Sequence, residues 1–93
     1  MSGHNTETDL ESQLLKAGQV VYVGERYVHY KNPQKTYIVR AIGLDEQSET
    51  VSIVYQAEYG KKLTWIRPLD NFLEAVHDQD GKKVPRFKKR ITQ

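Results

Sequence analysis

From Thr50 to Phe72 the chain reads TVSIVYQAEYGKKLTWIRPLDNF, two apolar and aromatic runs joined at Gly60-Lys61-Lys62. Strict alternation sets Val51, Ile53, Tyr55 and Ala57 on one side. Ser52, Gln56 and Glu58 fall on the other, with Val54 the exception, which predicts a half-buried strand. In the returning run Leu63, Trp65 and Arg67 share a face and Thr64 and Ile66 share the opposite one, until Pro68, without an N–H donor, ends the ladder. The pattern predicts a central hairpin in which Arg67 stands in line with Trp65.

The remaining elements arrange themselves around this hairpin. Residues 1–8 read as a polar, disordered tail. Thr8 or Asp9 is placed to cap a short helix over 9–18, in which Leu10, Leu14 and Ala17 recur at helical spacing and Gly18 is the stop. Val20-Val21-Tyr22-Val23 reads as a strand. The segment Arg26 to Lys31 reads as another, with Tyr27, His29 and Lys31 on one face and Val28 and Tyr30 on the other. Asn32-Pro33-Gln34 supplies a turn into a long strand, Lys35 to Leu44, that is apolar on both faces and has Gly43 as a candidate bend. Asp45 to Glu49 is the loop before the hairpin, and Leu69 to Leu73 a single helical turn after it. Glu74 to Val76 resumes as strand, Asp80-Gly81 turns the chain, and Lys83 to Lys88 returns as the last strand.

These strands, with regularly spaced turn signals, predict a mainly all-β domain over 19–90. The architecture expected is a small, strongly bent antiparallel barrel, SH3-like, with a short N-terminal helix; a five-stranded OB-like barrel is the alternative.

Composition narrows the function. At 93 residues a single domain of this kind buries only ~60–65% of the unfolded chain's surface, which leaves little room for a large internal cavity. There is no cysteine and there are three histidines, His4, His29 and His77. A disulfide framework, a thiolate nucleophile and a cysteine zinc site are thereby excluded, and no metal or other cofactor is expected. No apolar run approaches the roughly 20 residues of a membrane span, and the expectation is a cytoplasmic protein without membrane contact. Net charge is +2, divided as −3 over residues 1–60 and +5 over 61–93. The basic end holds Lys82, Lys83, Arg86, Lys88, Lys89 and Arg90, which either keep an edge strand solvated or follow a phosphate backbone.

The order of residues from Gly24 to Phe87 carries a resemblance. Tyr27, His29, Tyr30 and Lys31, then Tyr37, Glu49 and Thr50, Val54 and Tyr55, the group Trp65, Arg67, Pro68 and Phe72, and finally Pro85, Arg86 and Phe87 resemble the bacterial domain-of-unknown-function family sixteen fifty-three. The resemblance implies no assigned activity. Two positions depart from the family pattern: Gln47 stands where a histidine is usual, and Asn32 where a glycine is usual. The first weakens any histidine pair shared by the family, while the second leaves the fold intact because asparagine tolerates left-handed turns.

Candidate chemistry gathers on arginine and the aromatics. Arg67 and Arg86 each adjoin a proline and an aromatic residue, where a planar guanidinium can stack or grip a carboxylate bidentately. An internal role is the competing reading, with Arg67 paired to Glu49 or Asp70 and Arg86 to Glu74 or Asp78. The site expected comprises Tyr27, His29, Lys31, Glu49, Tyr55, Trp65, Arg67 and Arg86. The function it suggests is a binding module for a peptide or small anionic ligand. A nucleic-acid module, stacking bases on the aromatics and tracking phosphates with the basic C-terminal strand, is the alternative. An enzyme using His29 and Glu49 in acid–base chemistry is the third reading, and no catalytic residue is assigned.

Overall fold

The computed structural model describes residues 6–91. The first five residues of the expected tail, His4 among them, lie outside the described residues. Helix α1 spans Glu7–Ala17 and is opened by Thr6, two residues earlier than the sequence suggests. Asp9 explains the shift: the Thr6 hydroxyl accepts from the Asp9 N–H at 3.1 Å and the Asp9 carboxylate accepts from the Thr6 N–H at 3.4 Å. This reciprocal box satisfies donors that a helix start leaves unpaired.

Val20 to Val23 is not a strand. The Val20 and Val21 amides both bond to the Ala17 carbonyl, which turns the chain immediately after Gly18. Val21 is wholly buried, whereas Val20, Tyr22 and Val23 are exposed. The segment is apolar because one side chain plugs the core, and its neighbours only resemble a strand.

The strands are β1 (Arg26–His29), β2 (Asn32–Leu44), β3 (Val51–Ala57), β4 (Thr64–Pro68), β5 (Ala75–His77), β6 (Lys83–Pro85) and β7 (Phe87–Lys89), with the single turn α2 (Leu69–Leu73) after β4. They form a five-stranded antiparallel sheet in the order β4-β3-β2-β1-β7 and a separate β5-β6 hairpin. The fold is therefore mainly β and antiparallel with one short N-terminal helix, as the patterning predicts. The sheet stays open, with β4 and β7 as its edges, where a closed barrel was expected. The reason lies at Arg86, which breaks the anticipated Lys83–Lys88 strand. Its N–H bonds to the Glu74 carbonyl and its carbonyl accepts from the Tyr30 N–H. The chain thus leaves the small hairpin at β6 and docks on β1 as β7, and it never reaches β4.

Two local features set the faces of the large sheet. The β1–β2 turn is Tyr30-Lys31, two residues earlier than the expected Asn32-Pro33-Gln34, with His29 paired to Asn32. In β2 the register against β3 slips at Arg40, between Val39 and Ala41. Such a bulge inverts the alternation. Tyr37 and Val39 face the core before it, and Ile42 does so after it. The apolar character of both faces of this strand in the sequence is the trace of that phase change.

The core consists of Val21, Tyr27, Val39, Ile53, Tyr55, Phe72 and Phe87, flanked by Tyr37, Ile42 and Leu69. Phe72 from α2 stacks on Phe87 from β7, with centroids 4.3 Å apart and planes 2° from parallel. Along the β3–β4 hairpin the Ala57 N–H bonds to the Leu63 carbonyl. By antiparallel alternation Trp65 and Arg67 also turn their backbone groups towards β3, and Thr64, Ile66 and Pro68 turn theirs outward. The donor that Pro68 lacks is one this ladder does not use. Among the described residues no helix is long and apolar enough to cross a membrane.

Candidate functional site

Where the core meets solvent at the open ends of β1, β3 and β4, His29, Tyr37, Tyr55, Tyr59, Trp65, Arg67 and Phe87 line a pit of about 250 Å³. Cross-strand pairing builds it. Trp65 stands opposite Tyr55 and Arg67 opposite Ile53, so all four side chains leave the sheet on the core side. Trp65 lies beyond the packed core and remains 49% exposed. The Phe87 ring is met edge-on by Tyr55 at 5.2 Å, by His29 at 5.0 Å and by Tyr37 at 5.9 Å. Such T-shaped contacts place ring edges against ring faces and make the lining rigid.

Arg67 is held from two directions. Its Nε donates to the Tyr55 hydroxyl at 3.2 Å and its Nη1 donates to the Asn71 amide oxygen. Its guanidinium carbon sits 5.4 Å from the centre of the Phe87 ring. The ion pairs among the described residues join Arg26 to Glu58, Arg86 to Glu74 and Lys89 to Glu25, none of them involving Arg67. A guanidinium has five N–H donors. Two are occupied here, both on neutral acceptors, so the cation keeps its charge and part of its hydrogen-bonding capacity.

The second polar member is His29. Its Nδ1 accepts from the Lys31 N–H at 3.2 Å, which leaves the proton of the neutral ring on Nε2. Burial, followed by the positive charges of Arg67, Arg86 and Lys31, holds its pKa below the ordinary value. The imidazole is thus a neutral donor near neutral pH. Across the pit the Tyr37 and Tyr59 hydroxyls share a hydrogen bond of 2.5 Å. Burial and that bond push the Tyr37 phenol up to about 12.

Of the eight residues read from the sequence, the pit brings together His29, Tyr55, Trp65 and Arg67. Tyr27 is a core residue whose hydroxyl accepts from the Tyr22 N–H at 2.9 Å. Lys31 is exposed in the turn, its ammonium 6.0 Å from the centre of the Tyr30 ring. Glu49 lies in the loop after β2 while His29 pairs with the first residue of that strand, so the two are a whole strand apart. Arg86 is a brace: Nε donates to the Asn71 carbonyl at 3.0 Å and Nη2 pairs with Glu74 at 2.7 Å. The internal reading of Arg86 therefore describes its place, and Arg67 bonds Asn71, the residue next to the anticipated Asp70. Tyr37, Tyr59 and Phe87 complete the lining and are not among the eight, since β2, the turn after β3 and β7 deliver them separately. The basic C-terminal side chains do not line the pit, and Lys89 turns away to Glu25 and the ring of Tyr22. Among the described residues no cluster of histidine, aspartate and glutamate has the makings of a metal site.

The fold and the pit define a small open-sheet protein that presents an arginine among aromatics. The sequence matches the family described as Protein of unknown function (DUF1653) over residues 25–89, and the chain belongs to that family. No curated protein and no solved structure matches it.

Proposed function

We propose that the protein is a binding module whose pit receives a small carboxylate, free or carried on a peptide. The observation that carries this reading is the composition of the lining, which contains donors and aromatic rings but no acidic side chain. Arg67 offers its remaining N–H groups, His29 its Nε2–H, and the ring faces exclude water from an ion pair. At about 250 Å³ the pit is smaller than the ~300–1,000 Å³ typical of drug-sized ligands and suits a single side chain or a small acid. The separation of His29 from Glu49 leaves acid–base catalysis by that pair without support.

Titration with benzoate followed by proton–nitrogen NMR tests the reading. Saturable shifts of the Trp65 indole and Arg67 Nε–H signals are expected, and Arg67→Gln should abolish the indole shift. An indole signal that does not respond, or that responds equally in Arg67→Gln, would overturn the proposal.

A further inference from the structure

The edge beside the pit is unpaired. β4 is the last strand of the large sheet, and its Thr64 and Ile66 backbone groups point away from β3. Neither amide takes part in a turn, loop or cap hydrogen bond among the described residues. The side chains at the start of the strand do nothing to discourage a partner. Leu63, Trp65 and Ile66 are 54%, 49% and 70% exposed, and the run Leu63-Thr64-Trp65-Ile66 has no charge. Natural edge strands are ordinarily protected by inward charges, bulges or prolines. Here the proline comes only at the last residue of β4, and the inward charge, Arg67, is the cation that an incoming carboxylate would meet.

We propose that β4 is the acceptor edge for an extended acidic peptide of another protein, which adds a sixth strand and delivers a carboxylate to the pit. This rests on the carboxylate reading above and specifies the carrier. A strand added to β4 exchanges hydrogen bonds with Thr64 and Ile66, which places one of its residues directly across from Trp65 between those bonded pairs. The side chain of that residue leaves the sheet on Trp65's face, the face of the pit. A glutamate there reaches towards Arg67, while its flanking residues sit on the opposite face beside exposed Ile66. Charge favours the same partner. Lys61 and Lys62 occupy the turn leading into β4, and the Lys35 ammonium lies 4.7 Å from the centre of the Tyr59 ring at the pit wall. The nearby Glu58 is engaged by Arg26 and Thr36.

The capped peptide Ac-Thr-Val-Glu-Val-Thr-NH2 is the probe, compared with its Gln counterpart and with a form N-methylated at both valines, the residues that would bond Thr64 and Ile66. On the full chain the Glu peptide should bind at least about tenfold more tightly than either control, as loss of a charge-assisted contact or of two hydrogen bonds implies. Ile66→Pro should weaken the Glu peptide by a similar factor yet keep the benzoate response, because the amide it removes faces outward. If that variant fails to fold, the N-methylated peptide still decides the matter. Equal binding of the methylated peptide, or equal binding of the Gln peptide, overturns the proposal. So does a saturable benzoate response with no peptide binding, which leaves the pit reading intact. Loss of both responses removes the pit reading as well. A wild-type dimer that Ile66→Pro converts to monomer would show the edge occupied by a second copy, and would overturn the peptide proposal.

Discussion

Phe72 and Phe87 lie face to face with ring centroids 4.3 Å apart, although one belongs to a five-residue helical turn and the other to a three-residue strand. Neither element is long enough to hold itself in place. The stack fastens the chain after β4 to the far edge of the sheet, and Tyr27 and Tyr55 each meet Phe72 edge-on at 5.6 Å. Phe72→Ala should therefore destabilise the protein by about 3–5 kcal/mol, measured by urea unfolding. Less than about 1 kcal/mol would mean that the stack does not join the two elements.

Trp65 should behave in the opposite way. It is the sole tryptophan of the chain and is half-exposed. Trp65→Ala should cost under about 1.5 kcal/mol in the same assay, well below the figure for a fully buried aromatic. The variant should also lose benzoate binding, which isothermal titration calorimetry can read at unchanged fold.

For Arg67 the sequence leaves two readings, a ligand contact or an internal carboxylate staple, and the hydrogen bonds it makes within the protein go to no carboxylate. Its partners are the neutral Tyr55 hydroxyl and Asn71 amide. Arg67→Ala should then cost about 1.5–3 kcal/mol, the range for hydrogen bonds to a charged group. Arg67→Lys retains the charge but cannot span both acceptors over the Phe87 ring. It should recover less than half of the lost stability by thermal melting; full recovery would show that charge alone matters.

A pH dependence follows from His29. Its folded pKa is below the ordinary 6.5, chiefly through burial and then through Arg67, Arg86 and Lys31. As pH falls through 6.5 the unfolded chain takes up the proton first, so stability is complete above that value and declines below it towards the folded pKa. The melting temperature should drop between about pH 7 and pH 5, and His29→Gln should flatten that part of the profile. An unchanged slope in the variant would assign the effect to other groups.

Much of the fold is legible in local pattern because its determinants are local. Alternation in Val51 to Ala57 and Thr64 to Pro68, the Asp80-Gly81 turn and the Gly18 stop each depend on a few adjacent residues. What escapes is decided at a distance. Val21 is buried by residues from the strands, so its segment imitates a strand without pairing. Arg86 divides an uninterrupted strand pattern because Glu74 and Tyr30 claim its backbone. Arg67, Trp65, Tyr55 and His29 are recognisable for their chemistry and adjacency. Tyr59 and Phe87 acquire a role only when hairpin and C-terminal strand converge on Tyr37, and no spacing in the sequence announces it.

Arg86 belongs to neither of the strands it separates, yet its amide is tied to Glu74 ahead of β5 and its carbonyl to Tyr30 beside His29. Amide exchange at the two positions is thereby linked. An excursion that lifts the small hairpin frees the Arg86 amide and, by withdrawing the acceptor, the Tyr30 amide with it. The Tyr30 and Arg86 amides should therefore exchange at a common rate, tying the wall of the pit that carries His29 to the small hairpin.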